Sequence, residues 1–468
     1  MTDCKHRQIE FQDLNDRNII ADFSGGHISS DGGVALIGQL DRSYGYTKRF
    51  AECFKDHRDD RYTEHGLLEL LRQRTYGIAN GYEDLNDHDL LRHDPLLSAV
   101  CGKEDVTGKD RQRRQDQGKS LAGKSTLNRL ELTKADVGKE ERYKKIAADD
   151  AAIEEFFIDE WIRSLPKNAK SVTLDLDATD DLIHGNQEGR FFHGYYMNYC
   201  YLPLYIFCDD WPIVAKLRQS NIDACEGALD CIKKIVARLR KSFPSIRVIL
   251  RADSGFCRHE TMNWCEETPG IYYVFGIARN PVLERYVAKS LEKARLKSEA
   301  DDGKPARVFK EFKYAAGTWD GCKRRVIAKA EWTQGAANPR FIITNLKAVT
   351  YSGQDLYENF YCARGNMENR IKEQQLDLFA DRTSTAFMRS NQIRLWFSTL
   401  AYLLINQLRK VALKGTELAK ATCGTIRLRL LKIGTLVKVS VRRIYLSMSS
   451  AFPLQDIFFL AAHRLRLC

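Results

Sequence analysis

The sequence predicts an α/β protein, in which a mixed β-sheet core lies between a mainly helical N-terminal region and a helical C-terminal region. Two observations carry this prediction. Up to about residue 165, apolar residues recur at helical spacing. From residue 171 the pattern changes to the alternation typical of strands, and strand-like and helix-like segments then follow one another along the chain.

Two segments carry the helical prediction for the N-terminal region. HGLLELLRQRTYGI (65–78) and STLNRLELTKADV (125–137) both place apolar residues on one helical face. Residues 102–120 lie between them and are polar and basic. We therefore expect an exposed loop or arm there.

Short apolar or alternating runs bounded by Gly, Pro or polar residues predict the strands of the core. The first is SVTLDLDAT (171–179), which alternates apolar and polar side chains. Further strands are predicted at 191–208, 211–220, 245–256 and 270–278, and helices at 221–243 and 260–268. This succession predicts a sheet of mixed direction.

The rhythm breaks after residue 280. A charged, helix-like segment leads into Gly-containing strands, the last of them at 339–346, and from residue 353 to about 410 the chain is helical again. The predicted segments are 1–165 (helical), 166–280 (first part of the core), 281–347 (β-rich insertion), 348–412 (second part of the core) and 413–468 (basic).

Composition points to a folded protein with a polyanionic partner. The hydrophobic fraction of 44% is enough for a core, and the 73 Lys and Arg against 62 Asp and Glu give a net charge of +11. The excess is concentrated: residues 409–468 have 12 basic and 2 acidic residues, and residues 109–129 have 7 and 2. Phosphate contacts of such stretches favour nucleic acid, although a solvated surface is an equal alternative for the C-terminal one.

Cysteines and apolar runs indicate the compartment. The 13 cysteines include no C-x-x-C pair, which argues against a zinc site and a secreted disulfide framework. The N-terminus has no apolar signal-like run. The longest uncharged apolar stretch, between Arg394 and Arg409, is shorter than the roughly 20 residues of a membrane span. A cytoplasmic protein without a membrane partner is predicted.

Three acids fall where chemistry is expected. Asp177 ends the first predicted strand, Asp253 ends the strand at 245–256, and Glu368 lies in a predicted helix. Strand ends at the carboxyl edge of an α/β sheet commonly form sites, and a helix across that edge can add a third carboxylate. Asp175 shares the strand face of Asp177 and is an open alternative, since an Asp at a strand end is often only a turn or cap residue.

Three carboxylates at one point repel one another unless a cation is present. Mg²⁺ prefers oxygen ligands and is usually held by a few carboxylates together with phosphate and water. Two such ions support phosphodiester cleavage and joining by stabilising the attacking and leaving oxygens. Asp177, Asp253 and Glu368 therefore predict a site for two Mg²⁺ ions, with Mn²⁺ as a substitute.

The predicted helix around Glu368 carries a second pattern. Tyr361, Arg364, Glu368 and Lys372 form one stripe at helical spacing. An acid in line with a tyrosine and two cations fits a metal ligand whose neighbours hold a DNA backbone. The alternative is a solvated stripe in which Glu368 pairs with its two basic neighbours.

These residues are similar to those of a known family. YCARGNMENRIKE (361–373) resembles the Y-R-E signature of bacterial insertion-sequence transposases of the DDE class. LDLDATDD (174–181) with HGNQEGRFFHGYY (184–196), and RADSGF (251–256), resemble the first and second aspartate regions of one group in that class, family thirteen-eighty. The runs at 22–37, 81–97 and 124–131 resemble its N-terminal blocks.

The resemblance implies a ribonuclease H-like core, divided by a β-rich insertion before the glutamate. It implies that Asp177, Asp253 and Glu368 are catalytic metal ligands and that Tyr361 and Arg364 contact the transposon end, with Lys372 beside them. In the insertion it suggests DNA contacts by Trp319, Arg324 and Arg325. Trp319 or Trp332 would stack on a flipped base, although packing in a β core is the alternative for both.

In one position the chain departs from the signature: a lysine is expected where this sequence has Gln375, and Lys372 is a candidate substitute.

A nucleotide-binding motif also occurs in the sequence, but its context argues against that function, and we call it the decoy motif. Residues 118–125 match the phosphate-binding G-x4-G-K-[ST] pattern, but a polar, basic run precedes them instead of a buried strand. No nucleotide cofactor is therefore predicted.

The resulting hypothesis is a bacterial, nucleoid-associated transposase that acts as a homodimer on double-stranded DNA. Residues 1–165 would bind the terminal inverted repeats, and the core would cleave the strands at the element ends and join the 3′-OH ends to target DNA. A structure-selective metal-dependent nuclease and a non-catalytic DNA-binding protein are the alternatives.

Overall fold

The computed structural model describes residues 8–467, which form two compact units. One unit comprises Met1–Asp150, Asp377–Phe379 and Leu400–Cys468, and the other comprises Ala151–Leu376 and Ala380–Thr399. We refer to them as the terminal unit and the central unit. Residues 1–7 and Cys468 belong to the predicted terminal segments and lie outside the described residues.

The terminal unit begins with a β-hairpin and continues as short helices. Asn15 and Asp16 both have positive φ, which the tight turn of a two-residue hairpin requires. The strands are β1 (Ile9–Leu14), β2 (Arg17–Ala21), β3 (Ile28–Ser29), β4 (Phe54–Asp56) and β5 (Ile146–Ala148). The helices are α1 (Val34–Tyr44), α2 (Tyr46–Ala51), α3 (Leu67–Ala79), α4 (His88–Leu91), α5 (Pro95–Cys101) and α6 (Lys124–Leu132).

Local capping explains where these helices begin. In α5, Asp94 accepts hydrogen bonds from the backbone N–H groups of Leu96 and Leu97 at 2.8 and 3.0 Å, and Pro95 occupies the first turn. The predicted helix at 65–78 is α3, and the one at 125–137 is the shorter α6, which ends where Thr133 becomes extended. A 3-10 turn, Arg114–Asp116, precedes the decoy motif at 118–125.

The central unit starts with α7 (Asp150–Ser164) and is built on one mixed sheet. The first strands of the unit are β6 (Ser171–Ala178), β7 (Asp181–Leu182), β8 (Phe191–His193), β9 (Asn198–Tyr201), β10 (Leu204–Cys208) and β11 (Trp211–Lys216). Of these, β7, β9 and β8 form a separate three-stranded sheet. Then come α8 (Ala228–Ser242), β12 (Arg247–Ala252), α9 (His259–Glu267), β13 (Ile271–Ile277) and α10 (Pro281–Ala300). The predicted α/β core is thereby confirmed.

The remaining strands of the central unit extend this sheet. They are β14 (Ala306–Tyr314), β15 (Arg324–Thr333), β16 (Ala336–Ala337) and β17 (Arg340–Thr344), and the strand order is β11-β10-β6-β12-β13-β17-β15-β14. β12 is parallel to both β6 and β13, while the other pairs on this path are antiparallel. The β-rich insertion therefore continues the core sheet from the edge of β13 and satisfies its hydrogen bonds.

Two predicted elements differ in the structure for local reasons. Residues 191–208 form a β8–β9 hairpin and a separate β10, because Met197 takes a positive φ in the turn and Pro203 has no N–H to donate. The helix predicted from residue 221 begins only at Ala228, after Gly227 at a φ of +69°.

A continuous helical stretch, residues 353–377, follows the sheet. It contains α11 (Gly353–Asp355), a π-helical turn, a 3-10 turn, α12 (Gly365–Lys372) and a second π-helical turn. Leu356 and Tyr357 are buried against Ile249, Val274 and Ile342 of the sheet. Full burial of one such apolar side chain stabilises by about 1.5–3 kcal/mol. This contact fixes the stretch on the sheet.

The chain continues through α13 (Met388–Val411), α14 (Cys423–Ile426), β18 (Thr435–Val439), β19 (Ile444–Met448) and α15 (Gln455–Arg466). Within the terminal unit, β18 pairs with β19 and with β3. The C-terminal region is thus helical at both ends and contains a β-hairpin that the sequence pattern did not predict.

Candidate active site

The strand register brings two of the predicted acids to the same edge of the sheet. Ala252, the last residue of β12, lies beside Leu176 of the parallel strand β6. The residues that follow, Asp253 and Asp177, therefore reach the same edge. Asp253 Oδ1 accepts a hydrogen bond from the Gly255 N–H at 2.8 Å. This bond holds the turn after the strand.

Glu368 comes to the same place on α12. Met367 and Ile371, on one face of this helix, are buried. Together with Leu356 and Tyr357 they anchor the helical stretch on the protein interior. Glu368 is left on the partly open side, where it can face the two aspartates.

All three acids line one cavity of about 540 Å³, which we call the acidic cavity. Arg364 and Lys372, predicted on the same stripe, also line this cavity. The other lining residues are Ala178, Thr179, His193, Tyr195, Tyr196, Leu202, Ala224, Ser254, Gly255, Phe256, Ile371 and Gln375. The structure thus brings the three acids singled out in the sequence to the wall of one cavity.

Arg364 is the basic residue of this cavity that pairs with its acids. Its Nη2 donates to Glu368 Oε1 at 2.7 Å, and its Nη1 lies 3.6 Å from Asp177 Oδ2. Burial raises the pKa of Asp177 to about 7; Arg364 lowers it, and the charges of Asp253 and Glu368 raise it further. The three carboxylates thus repel one another electrostatically. The charge of Arg364 alone is not enough to keep Asp177 fully ionised at neutral pH.

Asp175, the alternative to Asp177, has a different environment. It is 3% exposed, and both of its carboxylate oxygens accept from Arg251, at 2.5 and 2.7 Å. Arg251 lies beside it in the parallel register of β6 and β12 and also donates to the Phe360 carbonyl. Since Asp175 does not line the acidic cavity and its oxygens are already bonded, its contacts are structural.

Tyr361 packs against the sheet at Gly276 of β13. A Cβ at Gly276 would lie 2.6 Å from the Tyr361 hydroxyl, so only glycine in β13 leaves room for this ring. Tyr361 also packs on Tyr357, with ring centroids 5.7 Å apart. Burial raises the pKa of its hydroxyl. The predicted DNA contact is therefore placed against the sheet, next to the acidic cavity.

Gln375 occupies the position at which the resemblance predicts a lysine. Its Nε2 donates to the Asp181 carboxylate at 2.8 Å and to the Asp180 carbonyl at 3.1 Å. Asp181 is buried, and burial raises its pKa to about 8. A neutral amide suits a carboxyl group that is protonated at neutral pH. Lys372, one turn earlier, is the lysine that lines the cavity.

The three residues predicted to bind DNA from the insertion have other surroundings. Trp319 is buried against Tyr314, with the Arg324 guanidinium over its ring at 5.5 Å. Arg324 is itself buried and pairs with Glu266 at 2.7 Å. Arg325 donates to Glu311 and to the carbonyls of Leu346 and Tyr351. None of the three lines the acidic cavity, and these contacts are those of a β core.

Sequence reasoning missed the β8–β9 hairpin as a part of the site. His193, Tyr195 and Tyr196 come from it and line the acidic cavity. Tyr195 is 84% exposed, and Phe192 and Tyr199 on the same hairpin are half exposed. The signal was an aromatic run interrupted by Gly194, which we assigned to a single strand.

Among residues 8–467, no group of three or more His, Cys, Asp or Glu side chains is arranged to hold a metal ion as it stands. In the same range, no helix is long and apolar enough to cross a membrane.

No curated protein matches the chain. A solved piggyBac transposase synaptic complex with hairpin DNA is similar over 86% of this chain and 80% of that chain, at 11% identity and a TM-score of 0.40. The model of the family described as transposase DDE domain group 1 matches residues 11–468. Because this match spans nearly the whole sequence, the chain belongs to the DDE transposase domain family, group 1.

Proposed function

We propose that this protein is a transposase that cleaves DNA strands at the ends of an insertion sequence and joins the resulting 3′-OH ends to target DNA. The observation that carries the proposal is the meeting of Asp177, Asp253 and Glu368 in one cavity at the carboxyl edge of the sheet. The strand order β11-β10-β6-β12-β13, antiparallel and then parallel, supports a ribonuclease H-like core. Membership of the family supports the same reaction.

The donor set fits divalent metal ions. Asp177, Asp253 and Glu368 would hold two Mg²⁺ or Mn²⁺ ions, because a desolvated carboxylate with acidic neighbours is stabilised by a hard cation. Such ions stabilise the attacking and leaving oxygens of a phosphoryl transfer. The Arg364 guanidinium pairs with two of these carboxylates, those of Asp177 and Glu368. We propose that it turns toward the DNA phosphate when the acids are otherwise neutralised.

The remaining residues of the site bind and position. Lys372 lines the cavity and would contact the DNA backbone. Tyr361, below the site, would position Arg364 on the same helical stretch. Trp319, Arg324 and Arg325 are not part of the proposed DNA-contacting set, because Trp319 is buried and the polar groups of the two arginines are bonded within the protein. Two copies of the chain would handle the two ends together.

The experiment that tests the proposal uses purified protein and labelled fragments of the DNA that flanks its own gene. Breaks are mapped at nucleotide resolution with Mg²⁺, with Mn²⁺ and with EDTA, on single ends and on paired ends. We expect a metal-dependent cut at the boundary of a terminal repeat. Cutting without dependence on the repeat would identify a structure-selective nuclease, and binding without a cut in any condition would identify a DNA-binding protein.

Mg²⁺ binding should depend strongly on pH. The pKa of Asp177 is about 7 in the folded protein, above the usual value of 3.8, so the proton on its carboxyl group stabilises the folded state. This stabilisation is fully present below pH 4 and is lost as the pH rises through 7. A cation binds the ionised form, and protons therefore compete with it below pH 7. At pH 5.5 we expect Mg²⁺ to bind about 30-fold more weakly than at pH 8, from a competing pKa near 7.

Thermal unfolding with and without Mg²⁺ measures this effect, since the gain in Tm reports binding to the folded state. The gain should be larger at pH 8 than at pH 5.5. In Asp177→Asn the dependence on pH should largely vanish, because the titrating group is removed. An equal gain at both pH values in the unaltered protein would contradict the prediction.

We propose that Tyr195 stacks on a DNA base beside the acidic cavity. The ring is almost fully exposed on a hairpin that lines the cavity, where DNA held at the acids would cover it. One stacked base contributes about 1–3 kcal/mol. Tyr195→Ala should therefore lower kcat/KM for end cleavage about tenfold or more, with no loss in Tm.

Tyr195→Phe is the matched control, because it keeps the ring and removes only the hydroxyl. It should cleave at close to the rate of the unaltered protein. If Phe and Ala at this position reduced cleavage equally, the hydroxyl and not the stacking surface would be responsible.

A further inference from the structure

The terminal unit contains a second cavity, with a volume of about 820 Å³, that the proposed chemistry does not use. We call it the arginine cavity. Its basic lining residues are Arg58, Arg61, Arg92, Arg111, Arg113, Arg129, Arg142 and Lys145. Its acidic ones are Asp59, Glu64, Asp89, Asp110 and Asp116. The excess of cations makes it attractive to a polyanion.

Most of the acidic residues that line the arginine cavity already pair with a basic residue. Arg92 pairs with Asp116 at 3.2 Å, Arg111 pairs with Glu64 at 2.7 Å, and Asp59 binds Arg61. Arg58 pairs outside the set, with Asp56 at 2.6 Å. The carboxylates thus neutralise particular arginines and leave the others with an excess of positive charge.

Arg129 has no such partner. It is half-buried on α6, and among the described residues no carboxylate pairs with its guanidinium. Burial lowers its pKa, and the positive charge of Arg58 lowers it further. A desolvated cation that faces another cation is costly unless an anion compensates it. This position therefore points to an anionic ligand.

His65 is a further lining residue of the arginine cavity. It is buried beside the cavity, and burial together with the charges of Lys103, Arg111 and Arg92 lowers its pKa to about 2. Arg111 Nη1 lies 2.9 Å from the imidazole Nε2. The low pKa follows from burial and from the number of cations near the imidazole, although Arg92, Arg111 and Lys103 each pair with a carboxylate.

The rim of the cavity carries two exposed rings. Tyr62 is 83% exposed and Tyr143 is 57% exposed. Arg61 and Arg142 each place a guanidinium over one of them, at 5.6 and 4.9 Å. Guanidinium groups held over aromatic rings beside a basic cavity suit a phosphate backbone, and the volume exceeds what a small anion needs.

We propose that the arginine cavity binds the phosphate backbone of double-stranded DNA, with Arg129 as the residue that contacts a phosphate at its centre. This inference rests on the proposed function, which supplies DNA as the substrate, and adds a binding site made within the terminal unit. The contact is to the backbone and is independent of base sequence.

The test compares the full-length protein with Arg129→Gln and with Arg42→Gln, an exposed arginine of α1 outside the cavity. Binding of a labelled duplex carrying one element end is measured by fluorescence anisotropy over a range of salt concentrations. Thermal unfolding and Mg²⁺-dependent cleavage are measured on the same samples. We expect Arg129→Gln to weaken binding about tenfold or more, as loss of one charge-assisted contact does. The slope of log affinity against log salt should fall by about 0.9.

Arg129→Gln should unfold at the same temperature as the unaltered protein or higher, because it removes an uncompensated cation. Unchanged affinity and slope in Arg129→Gln would overturn the inference, and so would an equal loss in Arg42→Gln. Cleavage separates this outcome from a failure of the proposed function. If the unaltered protein cuts DNA while Arg129→Gln binds normally, only the arginine cavity is wrong; if Arg129→Gln loses binding and no sample cuts, the cavity stands and the transposase chemistry fails.

Discussion

Asp253→Asn and Glu368→Gln should each abolish metal-dependent cleavage while the protein remains folded. Loss of a group that merely supports a metal ligand already costs about 10- to 100-fold. A ligand should exceed that, so we expect a loss of more than about 100-fold in each variant. The folded structure should tolerate both changes, since Asn at position 253 can still accept from the Gly255 N–H and Gln at position 368 keeps an oxygen near Arg364.

Single-turnover cleavage of a labelled element end, with Tm measured beside it, tests these two variants. Glu267→Gln is the matched control: it removes an exposed acid of α9 that does not line the acidic cavity. It should cut normally. Cleavage retained in Asp253→Asn or Glu368→Gln would remove that residue from the site and redirect attention to the neighbouring acids.

The acids could be located from the sequence because each follows a strongly patterned element. The alternation in residues 171–178 and the apolar run before Asp253 identify two strands, and their parallel pairing places both ends at one edge. The position of Glu368 needed the helical stripe and the resemblance as well. These are local signals, which a single sequence carries well.

The choice between Asp175 and Asp177 could not be made from periodicity. Both are on one face of β6, and the difference lies in a neighbour 76 positions away: Arg251, which the sheet register places beside Asp175. The same limit applies to Arg324, whose partner Glu266 is distant in sequence. From the sequence, Arg324 was therefore expected to be available for DNA, whereas in the structure it pairs with Glu266.

The predicted strand boundaries were wrong where single residues interrupt a continuous apolar run. Residues 191–208 looked like one strand, but Pro203 and the positive φ of Met197 divide them into a hairpin and β10. The hairpin then contributes His193, Tyr195 and Tyr196 to the acidic cavity. A local error in secondary structure thus hid three residues of the candidate site.

The pair of Arg251 and Asp175 should be the most sensitive structural contact near the site. Both side chains are buried, and Arg251 also donates to the Phe360 carbonyl on the helical stretch that carries Glu368. Arg251→Met would leave the Asp175 carboxylate buried without a partner. Removing one member of a buried ion pair typically costs about 3–5 kcal/mol of unfolding free energy. We expect a destabilisation of that size at pH 8, measured by denaturant unfolding.

The pH dependence and a double variant separate the charge from the packing. Burial already raises the pKa of Asp175 although Arg251 opposes it, so without Arg251 the carboxyl should take up a proton more readily still. The difference in unfolding free energy between Arg251→Met and the unaltered protein should then shrink as the pH falls from 8 to 5. Arg251→Met with Asp175→Leu should recover much of the stability at pH 8, because no unpaired charge remains. If the double variant is as unstable as the single one at every pH, the bond to the Phe360 carbonyl, and not the ion pair, is what holds the helical stretch on the sheet.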